Sequence, residues 1–71
     1  MDTTSEITAK LLNDLFSGED NKLCASYSKY YESLDASQSK EVVSGALKKI
    51  LNENDNAKCE FGEDTFTLVV D

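Results

Sequence analysis

The 71-residue chain carries 14 acidic side chains against 7 lysines, with no arginine and no histidine, for a formal net charge of −7. Arginine makes the bidentate phosphate and base contacts, and anionic lipid repels an acidic chain, so neither direct nucleic-acid binding nor membrane binding is expected. Without histidine the usual acid–base group near neutral pH is missing, no Ser–His–Asp or Cys–His set can form, and no enzyme is expected.

A chain of this length is one domain, residues 1–71, and it buries only about 60% of the surface exposed on unfolding. Hydrophobic content is 39% and the apolar residues are patterned, while the absence of proline favours uninterrupted helices. Cys24 and Cys59 stand 35 residues apart with no C-x-x-C pair, and the start "MDTTSEITAK" is acidic and polar rather than signal-like. Two reduced thiols in a cytoplasmic protein are therefore expected. No apolar run is long enough to span a bilayer.

The first predicted element is a helix over "TTSEITAKLLNDLFSG". Thr3 and Glu6 have capping-box spacing, and Ile7, Leu11, Leu12, Leu15 and Phe16 form one stripe. Gly18 follows where a left-handed C-cap glycine belongs. "EDNKLCASYSKYYESLD" is predicted as a second helix, because Leu23, Tyr27, Tyr30, Tyr31 and Leu34 recur at helical spacing. On that spacing Tyr27 and Tyr30 close the core and Tyr31 lies nearer the stripe's exposed edge.

"DASQSKEVVSGALKKILNEN" is predicted as a third helix, with Asp35 and Gln38 repeating the capping-box spacing and Ser37 a rival cap. Val43, Ala46, Leu47, Ile50 and Leu51 make its buried face, and Gly45 is expected to mark a close helix–helix contact. The period then changes to two. In "AKCEF" and "TFTLVV" the residues Ala57, Cys59, Phe61 and then Phe66, Leu68, Val70 share a face, with "GED" between them, which is a β-hairpin pattern. The expected fold is α+β: a three-helix bundle followed by a C-terminal two-stranded antiparallel hairpin. This element order resembles a minimal winged helix, and that resemblance implies a DNA-binding regulator as the alternative function.

Three local patterns bear on chemistry. In "NENDNAKCEFGE" Asn52, Asn54, Asn56, Glu60 and Glu63 resemble the ligand positions of a calcium loop. However, Ala57 takes the place of the required glycine, and the β-branched "DTFTLVVD" cannot form an exit helix. Asparagine and aspartate readily end helices, so this stretch is expected to turn the chain into the hairpin, with no metal bound. Glu32, Ser33, Leu34 and Asp35 resemble the D-S-L-D stretch of acyl carrier proteins, which would imply phosphopantetheine on Ser33. Ser33 falls near the end of a predicted helix instead of opening one, so no cofactor is expected.

The third pattern is the crowding of acids in the last 19 residues, offset locally only by Lys58. Glu53, Asp55, Glu60, Glu63 and Asp64, with Tyr31, are the candidate partner-binding residues. A solvated face explains such charge, but concentrating it in one place also raises self-repulsion. A negative patch gives on-rate and orientation toward a basic protein surface. The expected function is thus a non-enzymatic protein-binding module, such as a small acidic phage or mobile-element inhibitor. It would cover a basic, nucleic-acid-binding surface of a host protein. The small core and the hairpin edges also leave room for a homodimer.

Overall fold

A computed structural model describes residues 3–71 as two helices packed on one face of a three-stranded antiparallel sheet. Helix α1 spans Thr3–Ser17, strand β1 Lys22–Ser26, helix α2 Ala36–Glu53, strand β2 Ala57–Phe61 and strand β3 Thr65–Val70. Single 3₁₀ turns at Glu19–Asn21 and Tyr27–Lys29 flank β1. The strand order is β1-β3-β2. Both outer strands run antiparallel to β3, so they are parallel to each other, joined through α2, with β3 inserted between them.

The three-helix bundle is therefore not formed, and the two-stranded hairpin is part of a larger sheet. The middle helix is what fails. "KLCAS" has helical spacing to the tyrosines beyond it, but it also alternates, with Leu23 and Ala25 turned to the helices and Cys24 to solvent. β3, rich in β-branched residues, has a second edge that needs hydrogen-bond partners, and β1 supplies them. Lysine and alanine are depleted in strands, so tertiary pairing overrides local preference here. With no middle helix the winged-helix resemblance falls as well.

Register defines the two faces of the sheet. Leu23, Leu68 and Cys59 lie side by side, as do Ala25, Phe66 and Phe61, and these rows face the helices. The helices add Ile7, Leu11 and Leu15 from α1 and Val43, Ala46, Leu47 and Ile50 from α2. The opposite face, with Lys22, Cys24, Glu60, Lys58, Thr65 and Thr67, has no helix over it. Cys24 and Cys59 thus sit on opposite faces of the two outer strands, separated by β3, roughly 10 Å apart at a strand spacing of about 4.8 Å. Both thiols are free, and that separation is too wide for a disulfide.

Several smaller expectations also change. Gly18 is extended (φ −86°, ψ 172°), and the left-handed positions fall on Asp20 and Asn21 at φ 65° and 49°. Aspartate and asparagine are the non-glycine residues that tolerate that region best. Gly45 makes no close contact, because a Cβ there would meet open space. Phe16 is mostly exposed instead of completing the α1 stripe. Leu34, expected in the core, is fully exposed (110%) in the loop before α2. No helix among the described residues is long and apolar enough to cross a membrane.

Burial also shifts three protons. Cys59 is pushed up to about 11 by burial and then by the nearby Glu60 charge. Burial, then the Asp14 hydrogen bond and charge, raises the Tyr30 phenol, and burial followed by Cys59 raises Tyr27. A raised value means that the folded state holds the proton more tightly than the unfolded chain. The associated stability is present below the ordinary thiol value of 9.0 and is lost as pH rises through about 11. The melting temperature should accordingly fall above about pH 9, and Cys59→Ala with Tyr30→Phe should flatten that decline. An unchanged alkaline slope in the double variant would contradict this account.

Candidate functional site: an acidic turn beside a polar cleft

The acidic residues do not form one patch. Glu53 ends α2, Asp55 follows in the turn to β2, and Asp71 lies at the same end, its N–H donating to the Asn56 carbonyl at 3.1 Å. Glu63 and Asp64 form the tip between β2 and β3, at the other end of the strands. The five residues of β2 separate Asn56 from Gly62, six steps of extended chain or about 20 Å at the usual strand rise. Glu60 lies between the two ends on the open face, opposite Thr67. Tyr31 is half-buried against the core and joins neither group.

The asparagines of "NENDN" close the first of these ends. Asn54 Nδ2 donates to the Ile50 carbonyl at 2.9 Å, and Asn56 Nδ2 donates to the Asp71 carbonyl at 3.0 Å. Their amides are engaged with the chain itself, and β2 starts at Ala57 where a calcium loop would continue. No group of three or more Asp, Glu or Cys side chains among the described residues is arranged to hold a metal ion.

The tip is held from two directions. Gly62 N donates to the Thr65 carbonyl at 2.8 Å, closing a turn with Glu63 and Asp64 at its apex. Neither apex residue has a positive φ, so this is not the primed turn that matches strand twist best. Tyr27 supplies outside support. Its backbone N–H donates to the Asp64 carbonyl at 3.3 Å, and its hydroxyl donates to the Gly62 carbonyl at 2.9 Å. Tyr27 is itself fixed by burial and by the Phe66 ring 5.5 Å away. Two carboxylates are thus carried on a backbone pinned to the core.

A cleft of about 530 Å³ opens beside the tip, lined by Ser26, Ser28, Ser37, Ser39, Lys40 and the two acids, with Tyr27 and Ala36 completing it. Lys40 Nζ lies 5.9 Å from the centroid of the Tyr27 ring. Ser39 is 1% exposed, and its Oγ has no hydrogen-bond partner. The N-terminus of α2 forms one wall, and three of its first four amides are already engaged. Ser37 N donates to Asp35 Oδ1, and Gln38 N and Ser39 N both donate to the Asp35 carbonyl. Asp35 is thus the cap, as its sequence position suggests. The capping box is not completed, because Gln38 Oε1 accepts from Ser33 Oγ and the Asp35 N–H donates to that same hydroxyl.

Next to the cleft, across Ser28, a shallower hollow is lined by Glu32, Ser33 and Leu34. Ser33 stands in the loop just ahead of α2 and not at the close of a helix, although the sheet departs from the four-helix carrier fold. Tyr27, Leu34 and Ser39 distinguish this end of the molecule; helical spacing places Tyr27 in the core, as found, but does not show its bonds to the tip. Leu34 falls on the same helical stripe as Tyr27 yet is exposed, and Ser39 stands in a polar stretch between Gln38 and Lys40 yet is buried. A serine four residues before Val43, itself at a core position, is the signal that would have found Ser39. No protein-family model, curated protein or solved structure matches the chain.

Proposed function

We propose that the protein is a non-enzymatic protein-binding module that engages a basic surface of its partner with the Glu63–Asp64 tip. The observation that carries this reading is the double tether of the tip to Tyr27. A carboxylate pair held in place loses little conformational freedom on binding, so more of its interaction energy appears as affinity. Leu34 replaces Tyr31 as the apolar anchor. It is fully exposed, its loop is braced by the Ser33, Asp35 and Gln38 hydrogen bonds, and it lies next to the acidic cleft. The net charge of −7 steers a basic partner toward any face of the molecule, and the tip and Leu34 give the encounter an orientation.

The mechanism is occlusion: the module covers a basic site that the partner uses for nucleic acid. Free thiols on Cys24 and Cys59 suit a cytoplasmic setting. The test is capture of the partner from host lysate by tagged protein, with nuclease present and salt varied. One protein captured in stoichiometric amount, and released as salt rises, supports the reading. A signal abolished by nuclease contradicts it.

A further inference from the structure

We propose that the cleft between the Glu63–Asp64 tip and the start of α2 receives the guanidinium group of an arginine side chain presented by the protein partner. This inference rests on the protein-binding reading above and names what that site recognises.

Two observations define the ligand class. The first is the sign of the cleft. A helix N-terminus with serines and a lysine would ordinarily suit an anion. Here Ser37, Gln38 and Ser39 have already given their amides to Asp35, whose own carboxylate sits at the helix end. What remains beside the Ala36 N–H is mainly oxygen: the carboxylates of Glu63 and Asp64 and the hydroxyls of Ser26 and Ser28, whose Oγ atoms are 3.5 Å apart. The single cation, Lys40, lies by the Tyr27 ring, where it faces the aromatic surface.

The second observation is Ser39. Buried polar groups are almost always paired, and an orphan hydroxyl in a native protein asks for an explanation. Ser39 Oγ has no partner, and Ser39 forms part of the wall of this cleft. The Ser39 hydroxyl is sealed from solvent, so a planar group with five N–H donors that bridges the two carboxylates at the rim reaches it only when the Ser39 side chain turns toward the cleft. An ammonium, with three donors around one point, is less suited to acceptors spread in this way.

The test is a titration of isotope-labelled protein with three probes, followed by amide chemical shifts: Nα-acetyl-argininamide, the matching lysine derivative, and inorganic phosphate. The arginine probe should saturate shifts at Ser28, Ser39 and Asp64, and bind more tightly than the lysine probe. Glu63→Gln with Asp64→Asn should abolish saturation. Lys40→Met should tighten arginine binding about two- to fivefold, the scale of an exposed charge pair. Ser39→Ala should weaken it about two- to tenfold, the scale of one hydrogen bond, while raising the melting temperature because an unpaired buried hydroxyl is removed.

Saturation by phosphate that is lost in Lys40→Met would overturn the proposal in favour of an anion site. Arginine shifts centred on Glu53 and Asp55, or arginine binding unchanged by Ser39→Ala, would overturn it too. The two readings can fail separately. Partner capture that needs Glu63 and Asp64 but ignores Ser39→Ala and free arginine removes only the arginine cleft. Arginine saturation with partner capture indifferent to the tip removes only the protein-binding reading.

Discussion

Phe66→Ala should cost about 3–5 kcal/mol of folding stability, the range for deleting a fully buried aromatic side chain. Phe66 sits on the central strand, is 1% exposed, and lies between Ala25 and Phe61 in the register. Its ring packs at 5.5 Å from Tyr27 and 5.9 Å from Tyr30, so it joins the sheet to the turn that follows β1. At roughly 0.05–0.15 kcal/mol per residue a 71-residue domain has a total stability of only about 4–11 kcal/mol. The loss is therefore a large share of the whole, and at the lower end it unfolds the protein. Phe61→Ala is the control, because Phe61 is 40% exposed on an edge strand and its truncation should cost about 1 kcal/mol or less. Urea unfolding of both variants measures the contrast. A Phe66→Ala cost no greater than that of Phe61→Ala would mean that the core is not built around β3.

Gly62→Ala should cost about 1–3 kcal/mol, the scale of an overpacked site. The reason is space, since the φ of Gly62 is not positive. An added Cβ would stand 2.7 Å from the Thr65 carbonyl oxygen, closer than real Cβ atoms come, and that oxygen is backbone. The neighbour can yield only by opening the Gly62 N–H hydrogen bond to the same oxygen. Opening it also moves the Gly62 carbonyl, which accepts the Tyr27 hydroxyl. The substitution should thus raise amide exchange at Gly62 and at Tyr27 together and lower affinity for the partner. A stability change within about 0.5 kcal/mol, the range of ordinary surface substitutions, would show that the turn relaxes freely and that its tether is slack.

The parts of the fold that were legible in the sequence are those in which one period dominates. α1 and α2 show a 3.6 repeat over several turns, and their buried residues Ile7, Leu11, Leu15, Val43, Ala46, Leu47 and Ile50 follow from it. β2 and β3 alternate cleanly around a glycine-containing turn. Residues 19–35 are ambiguous because Leu23, Tyr27 and Tyr30 satisfy helical spacing while Leu23, Cys24 and Ala25 satisfy alternation. A five-residue window cannot choose between the two, and a sheet edge elsewhere in the chain makes the choice.

The candidate site was legible in composition and not in arrangement. Glu63 and Asp64 stand out as acids in a turn, but their separation from Glu53 and Asp55 depends on β2 being extended. The last 19 residues are one acidic run in sequence, but the strand rise alone puts the two groups about 20 Å apart. The cleft depends on residues from β1, α2 and the hairpin, and no local pattern connects them.

The measurement that tests the central claim most directly is a comparison of charge reversals at the two ends of the sheet. Glu63→Lys with Asp64→Lys changes the tip, and Glu53→Lys with Asp55→Lys makes the same change in net charge at the far end. Both variants are checked for folding and used to capture the partner from nuclease-treated lysate beside the unaltered protein. The tip variant should lose capture by at least about 30-fold, since truncating one member of a close charge pair already costs about 2 kcal/mol or more, while the far-end variant should lose much less. Equal losses from both would mean that net charge alone attracts the partner. Full capture by the folded tip variant would contradict the assignment of the binding site to Glu63 and Asp64.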